Sequence, residues 1–180
     1  MKTRFIAPLI FLVVLIGFFV KGLDPNRDLN RLPSPFLDKP APQLDLPMLK
    51  DLNERVTSAD YEGELVLMNV WATWCVGCRQ EHSYLLELER QNIVPIYGLN
   101  WRDRREDALN WLAQLDDPYI ASGYDADGRV GIDWGVYGAP ETFLIGGDGT
   151  VLHKHLGPLD AFLWERDFMP IIRVEKGVEQ

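Results

Sequence analysis

The stretch Trp71-Ala-Thr-Trp-Cys75-Val-Gly-Cys78 contains both cysteines of the 180-residue chain. It follows an apolar run that begins at Leu65, and a helical pattern continues from it to about Arg90. A strand that leads directly into a helix places Cys75 at the helix N-terminus, where free N–H groups and the helix dipole stabilise a thiolate. Cys78 follows nearly one turn later, so it can close a disulfide with Cys75. The spacing therefore predicts a redox pair, in which Cys75 attacks and Cys78 resolves.

Two other interpretations of the cysteine pair are weaker. A structural zinc site needs four ligands, and the three histidines, His82, His153 and His155, do not have paired-ligand spacing. A purely structural disulfide across so short a loop would constrain the unfolded chain little. A pair of inert, buried cysteines would not need to begin a helix. We therefore expect redox chemistry and no metal.

Further motifs narrow the class of protein. Trp-Cys-x-x-Cys after a buried strand resembles the thioredoxin superfamily. The stretches Gly135-Val-Tyr-Gly-Ala-Pro140-Glu141-Thr-Phe-Leu-Ile145, Asn69-Val-Trp-Ala-Thr-Trp-Cys75 and Arg79-Gln-Glu81-His together resemble the membrane-tethered proteins of cytochrome c maturation, the DsbE/CcmG family. The similarity extends from about Pro35 to Trp164, and the N-terminal apolar segment also matches. It implies an α/β, thioredoxin-like fold with a mixed central sheet flanked by helices.

The N-terminal residues 1–23 are predicted to form a transmembrane anchor. Residues 5–20 are uncharged, mostly apolar and flanked by lysine and arginine. As a helix they span roughly 24 Å, less than the ~30 Å hydrocarbon core, but flanking residues with snorkelling basic side chains extend the span. The alternative is a cleaved signal peptide, but no small-x-small cleavage site follows. The basic residues before the helix favour a cytoplasmic N-terminus and an extracytoplasmic remainder.

Composition divides the rest of the chain. Residues 24–42 are rich in proline and charge, which predicts an extended linker. Residues 43–176 are predicted to form the thioredoxin-like domain. The formal net charge of the whole chain is −9. Because the N-terminal segment is basic, the negative charge lies in the rest of the chain, which makes the domain acidic. We therefore expect no basic patch for nucleic acid.

The predicted elements of the domain follow the thioredoxin order. Strands are expected at 44–46, 55–57, 64–71, 93–101, 119–124, 141–145 and 151–156. Helices are expected from about 75 to 90, over 104–115, within 125–134 and over 159–174. Gly146-Gly-Asp-Gly149 predicts a hairpin between the last two strands. The segment 100–124 resembles the insertion that distinguishes the family from plain thioredoxin.

The resemblance also implies a substrate-binding surface. In the family the proline that matches Pro140 is cis and faces the cysteine pair, whereas the residues alone would also fit an ordinary turn proline. A cis turn leaves the backbone of Ala139 free to pair with an extended substrate chain beside Cys75. Trp74 is expected at the rim of this surface, and Trp71 in the core.

Two carboxylates are candidate proton acceptors. In thioredoxins the position six before the first cysteine is an aspartate that takes the proton of the resolving thiol, but Asn69 cannot do so. Glu81, three residues after Cys78, and Glu141, directly after Pro140, could accept that proton, because partial desolvation raises a carboxyl pKa. Each also has an ordinary interpretation: Glu81 as a carboxylate favoured by the helix dipole, and Glu141 as a charge on an edge strand.

The function implied by the resemblance is that of a reductant in c-type cytochrome biogenesis. The protein would be anchored once in the inner membrane, with its catalytic domain in the periplasm. It would reduce the haem-site disulfide of apocytochrome c, directly or through a maturation protein that presents it. A membrane thiol-transfer protein of the DsbD/CcdA type would re-reduce Cys75 and Cys78, without an organic cofactor. Two alternatives stay open: a general extracytoplasmic disulfide reductase, and a non-catalytic tethered adaptor that holds apocytochrome.

Overall fold

The computed structural model describes residues 6–22 and 37–177. The first stretch forms helix α1, Ile6–Gly22, which has 17 residues. In neither described stretch is a helix long and apolar enough to cross a membrane. The anchor over residues 1–23 stays a prediction, and most of the predicted linker, 24–42, lies outside the described residues. The second stretch belongs to a separate compact unit.

Two sheets organise residues 37–177. A hairpin consists of β1 (Asp45–Pro47) and β2 (Arg55–Thr57). The central sheet contains β3 (Val66–Trp71), β4 (Ile96–Trp101), β5 (Ser122–Asp125), β6 (Glu141–Ile145) and β7 (Val151–Leu156), in the spatial order β5-β4-β3-β6-β7. The β3–β4 and β4–β5 pairs are parallel, and the β3–β6 and β6–β7 pairs are antiparallel. This is the mixed sheet that the sequence predicts.

Helices connect and cover these strands. They are α2 (Val76–Gln91), α3 (Arg105–Leu115), α4 (Arg129–Asp133), α5 (Ala161–Leu163) and α6 (Met169–Glu175), with a short 3-10 turn at Ser58–Tyr61. The last predicted helix is interrupted, because a π turn at Trp164–Phe168 separates α5 from α6. Pro170 explains the interruption, since it has no N–H with which to continue the regular ladder.

Strand β3 lies at the centre of the sheet and is buried over its whole length. Leu67 and Trp71 pack in the core that includes helix α2. Met68 and Val70 belong to the second core, on the opposite side of the sheet, which includes residues of the β1–β2 hairpin. The apolar run that leads to the cysteines therefore forms a strand buried on both faces, as the sequence predicts.

The structure differs from the sequence prediction at two boundaries. The fifth strand begins at Ser122, not at 119, and the Tyr119 N–H donates to Asp117 Oδ1 at 2.9 Å within the turn that precedes the strand. Residues 37–41, placed in the linker by the sequence, already bond to the β6–β7 hairpin. There the Asp38 N–H donates to the Val151 carbonyl at 2.9 Å and the Ala41 N–H to the Gly149 carbonyl at 2.8 Å. The contacts of the domain therefore include the end of that segment.

Replacement of Gly98 by alanine should destabilise the fold. A Cβ at Gly98 would lie 2.0 Å from Ser122 Oγ, 2.8 Å from Trp71 Nε1 and 3.1 Å from Tyr119 Cγ. Overpacking of this kind costs about 1–3 kcal/mol, which urea unfolding of the full-length protein measures. Gly138→Ala is the matched control, because a Cβ there meets nothing within 4 Å. Equal stability of the two variants would contradict the packing argument.

Candidate active site

Cys75 and Cys78 form a disulfide at the start of α2. Their sulfur atoms are 2.09 Å apart. Cys75 is the N-cap of α2, and the Cys78 N–H donates to Cys75 Sγ at 2.9 Å. Both residues are buried in this oxidised state, with exposures of 4% and 3%, so accessibility does not distinguish the attacking sulfur. The N–H contact is aimed at Cys75, and an N–H in this position favours negative charge on that sulfur.

Pro140 packs directly against the cysteine loop. The Ala139–Pro140 peptide bond is cis, as the family resemblance implies. A Cβ at Gly77 would lie 2.8 Å from Pro140 Cδ and 3.1 Å from Pro158 Cγ. Glycine between the two cysteines therefore lets both proline rings approach the first turn of α2. The structure brings Ala139 and Pro140 to the redox pair, where the sequence predicts a substrate surface.

Residues of the predicted insertion hold the segment before Cys75. The Thr73 N–H and hydroxyl donate to the two oxygens of Asp103, each at 2.6 Å. The Trp74 indole N–H donates to the Arg102 carbonyl at 3.1 Å, and its ring lies 6.0 Å from that of Trp101. Trp74 is 54% exposed, and its place at the rim of a substrate surface stays a prediction. The loop that follows β4 therefore fixes the approach to the cysteines.

Large apolar side chains beside Cys75 and in the segment before Pro140 are exposed to solvent. Besides Trp74, they are Val76, which is 73% exposed, and Tyr137, which is 61% exposed. Val76 begins helix α2, and Tyr137 precedes Pro140 by three residues. Exposed apolar surface beside a redox-active disulfide fits the docking of another polypeptide.

Glu81 is buried beneath the cysteine pair, on the face of α2 that the spacing predicts. Its Oε1 accepts the Asn69 Nδ2–H at 2.9 Å, and its Oε2 accepts the Leu159 N–H at 2.8 Å. Burial raises the pKa of Glu81 from 4.5 to about 7, although these two hydrogen bonds act in the opposite direction. A carboxyl group that titrates near neutral pH can take up and release a proton at physiological pH.

Asn69 connects Glu81 to two other side chains. Its Nδ2 also donates to Thr142 Oγ1 at 3.1 Å, and its Oδ1 accepts the Tyr119 hydroxyl at 2.8 Å. All four side chains are buried. The asparagine that replaces the thioredoxin aspartate is thus the centre of a hydrogen-bond network that ends at Glu81.

Glu141 has a different environment. Its Oε2 lies 2.9 Å from Lys154 Nζ in an ion pair whose side chains are only 2% and 3% exposed. Its Oε1 accepts the N–H groups of Tyr137 at 2.7 Å and Gly138 at 3.1 Å. Lys154 Nζ also donates to the Gly135 carbonyl at 2.7 Å. The pair therefore holds the segment that precedes Pro140.

Several residues of the site were not predicted from the sequence. Among them are Lys154, Asp103 and Tyr119. Lysine and aspartate are usually solvated, and Tyr119 was expected only as part of a short strand. One signal was present in the sequence: a polar residue inside the apolar run of β3, Asn69, needs buried partners.

The fold and this geometry define a class of protein. A cysteine pair at a helix N-terminus, packed against a cis-proline on a mixed five-stranded sheet, is the site of a thioredoxin-like thiol:disulfide oxidoreductase. In agreement, residues 37–165 match the Redoxin family model.

Relatives identify the family within this class. The chain is 44% identical to the thiol:disulfide interchange protein DsbE of Allochromatium vinosum, over 97% of this chain and 95% of the relative. It is 45% identical to DsbE of Pseudomonas aeruginosa, over 90% and 88% of the two chains, and 41% identical to DsbE of Escherichia coli, over 94% and 93%. The chain belongs to the DsbE family of thiol:disulfide interchange proteins, which the sequence motifs resemble.

Solved structures agree with the fold. A DsbE-type thiol:disulfide interchange protein from Chlorobium tepidum superposes with a TM-score of 0.63 at 26% identity, over 77% of this chain and 96% of that one. The thioredoxin domain of a thiol-disulfide oxidoreductase from Bacteroides vulgatus gives 0.64 at 25% identity, over 79% and 98%.

The raised pKa of Glu81 predicts a particular pH dependence of stability. Because the folded state holds this proton more tightly than the unfolded state, Glu81 favours folding below pH 4.5, and this contribution is lost as pH rises through about 7. The stability of wild type relative to Glu81→Gln should therefore fall between pH 4.5 and 8, by on the order of 3 kcal/mol. Urea unfolding of both oxidised proteins across this range measures the difference. Parallel curves would show that Glu81 has an ordinary pKa in the folded state.

Loss of the buried lysine should leave an uncompensated carboxylate. Lys154→Met is expected to cost about 3–5 kcal/mol of unfolding free energy, and the double variant with Glu141→Gln should recover more than half of it. Arg129→Met is the control, because its pair with Asp127 is solvent-exposed and contributes at most about 1 kcal/mol. A Lys154→Met protein as stable as the control would contradict a structural role for the buried pair.

Proposed function

We propose that this protein is a periplasmic reductant of c-type cytochrome biogenesis that reduces the haem-site disulfide of apocytochrome c. It does so directly or through a maturation protein that presents the apocytochrome. The observation that carries the chemistry is the Cys78 N–H aimed at Cys75 Sγ at 2.9 Å, since it makes Cys75 the sulfur that bears charge. Family membership supports the choice of client.

The buried carboxylate favours the reducing direction. Glu81 lies one helical turn after Cys78, and its negative charge disfavours a thiolate nearby. A less stable reduced form lowers the reduction potential of the pair, and a low potential is what a reductant requires. The N–H contact thus activates Cys75 as the attacking sulfur, and the charge of Glu81 favours the Cys75–Cys78 disulfide as the product.

The reaction transfers two electrons from the protein to its client, and solvent supplies the protons of the client thiols. The Cys75 thiolate attacks one sulfur of the client disulfide, so that bond breaks, a mixed disulfide forms and the other client sulfur leaves as a thiolate, which takes a proton from water. Cys78 then loses its proton to Glu81, and its sulfur attacks Cys75. This step closes the Cys75–Cys78 bond and releases the second client sulfur as a thiolate, which is also protonated from water, while Glu81 returns its proton to solvent. A membrane thiol-transfer protein of the DsbD/CcdA type re-reduces the pair.

Glu81 and Glu141 have separate roles in this proposal. Glu81 is the proton acceptor, supported by its burial below the cysteines and its pKa of about 7. Glu141 positions the Pro140 turn, supported by its bonds to Tyr137 and Gly138 and its pairing with Lys154. This assignment gives Glu141 a positioning role in place of the proton transfer that its place in the sequence suggests.

The client chain docks beside Cys75. Ala139 lies between the Tyr137 turn and strand β6, and its backbone pairs with an extended segment of client, as in strand addition. Trp74 and Pro140 form the walls of this site. Residues 1–23 anchor the protein in the inner membrane and residues 24–42 connect the anchor to the domain; the apolar sequence of α1 supports this arrangement.

A Cys78→Ser variant should accumulate a mixed disulfide through Cys75, because only the resolving thiol clears this intermediate quickly. After an alkylating quench, mass spectrometry should identify apocytochrome c attached by a cysteine of its Cys-x-x-Cys-His site, or the protein that presents it. The variant with both cysteines replaced by serine is the control and should trap nothing.

The other outcomes separate the rival functions. Trapping of unrelated envelope proteins without cytochromes would favour a general extracytoplasmic reductase. Absence of any adduct, with cytochrome assembly intact in the variant that lacks both cysteines, would leave the non-catalytic adaptor.

A further inference from the structure

The Tyr119 hydroxyl has a defined partner at the centre of the protein. The residue is buried, lies between α3 and β5, and donates its O–H to Asn69 Oδ1 at 2.8 Å. Burial raises its pKa well above 10.0, with the Glu81 and Asp117 charges acting in the same direction. Tyr119 is therefore neutral at any physiological pH and keeps its proton to donate.

This donation decides which end of the Asn69 amide faces Glu81. With Oδ1 bound to Tyr119, Nδ2 points the other way and donates to Glu81 Oε1 at 2.9 Å. In the flipped orientation Oδ1 would face Glu81, and two acceptors would meet unless the carboxyl were protonated. The orientation of the amide is thus coupled to the charge of Glu81.

We propose that Tyr119 is a positioning residue for proton transfer at Glu81: its hydroxyl holds the Asn69 amide with the N–H groups towards the carboxylate. The Tyr119 hydroxyl acts on Glu81 through hydrogen bonds, with the Asn69 side chain between them. This inference rests on the proposed role of Glu81 and adds the group that controls when Glu81 is ionised.

Packing keeps the Tyr119 ring in place. The ring stacks on Trp71 with a centroid distance of 5.5 Å and an interplanar angle of 17°. A side chain at Gly98 would collide with both rings, so the glycine permits this approach. Trp71 is fixed in turn by the bond from its Nε1 to Ser122 Oγ at 3.2 Å. These contacts therefore hold the Tyr119 hydroxyl in the position from which it donates to Asn69.

Few other groups compete for the Glu81 carboxyl. From α2 itself the neighbours are the cysteine pair, which does not titrate in the disulfide state, and His82. The ring nitrogens of His82 are engaged by the Trp111 indole at 3.3 Å and by the carbonyls of Leu115 and Asp116 at 3.1 Å. From β6 the neutral Thr142 contacts Asn69, and from the segment before α5 the Leu159 N–H contacts Glu81 Oε2. From the segment before β5, Tyr119 faces the network of Asn69 and Glu81, and the charge of Asp117 raises the pKa of Tyr119.

The test is Tyr119→Phe in the full-length oxidised protein. The carboxyl ¹³C signal of Glu81, assigned with Glu81→Gln, should titrate about one pH unit higher than in wild type, since the ionised form loses an oriented donor. At pH 7 the ionised fraction would then fall from about half to about a tenth. Glutathione release from a Cys75 mixed disulfide should slow by about fivefold at pH 7 and recover near pH 9.

Tyr124→Phe is the matched control, because its hydroxyl donates to the Asp103 carbonyl at 3.1 Å and not to Asn69. It should leave the titration of Glu81 unchanged. An unaltered Glu81 titration in a folded Tyr119→Phe protein would overturn the inference, even if Glu81→Gln slows release. A shifted titration would support it, even if release is as fast in Glu81→Gln as in wild type; in that case only the proton-acceptor role would fail.

Discussion

The hydrogen bond between the Asn69 amide and the Glu81 carboxylate joins the central strand to the redox helix. It runs across the interior from β3 to α2 at 2.9 Å, and neither residue has access to water. An unsatisfied polar group at this depth would cost about 1–3 kcal/mol, so each residue requires the other. The bond ties α2, which begins at the cysteine pair, to the central strand. One polar contact inside an apolar core therefore helps to hold the helix that positions the disulfide.

Features that depend on local patterns could be predicted from the sequence. Strands β6 and β7 are found at the residues expected from their flanking turn, and the cysteines begin a helix because an apolar run precedes them. The face of α2 on which Glu81 lies follows from helical periodicity, since residues three apart share a face. Pro140 could be assigned only because the surrounding motif resembles a family, as spacing alone does not specify the isomer.

Features that depend on tertiary pairing could not be predicted. Lys154 is buried because Glu141, on the neighbouring strand, supplies a compensating charge, and no local pattern reveals that partner. Tyr119 and Asn69 are 50 residues apart, and only the parallel sheet brings them together. The break in the last helix lies at Trp164–Phe168, directly before the helix that contains Pro170, and an apolar helical pattern alone does not predict it.

The attachment of Thr73 and Trp74 to the loop after β4 limits how this redox site can be transplanted. Asp103 accepts both donors of Thr73, and the Arg102 carbonyl accepts the Trp74 indole, so the approach to Cys75 is shaped by residues about 30 positions further along the chain. A thioredoxin scaffold that received only the eight residues from Trp71 to Cys78 would lack these partners. The redox loop therefore cannot be transferred to another protein by itself. A transfer that keeps its contacts must include the loop after β4.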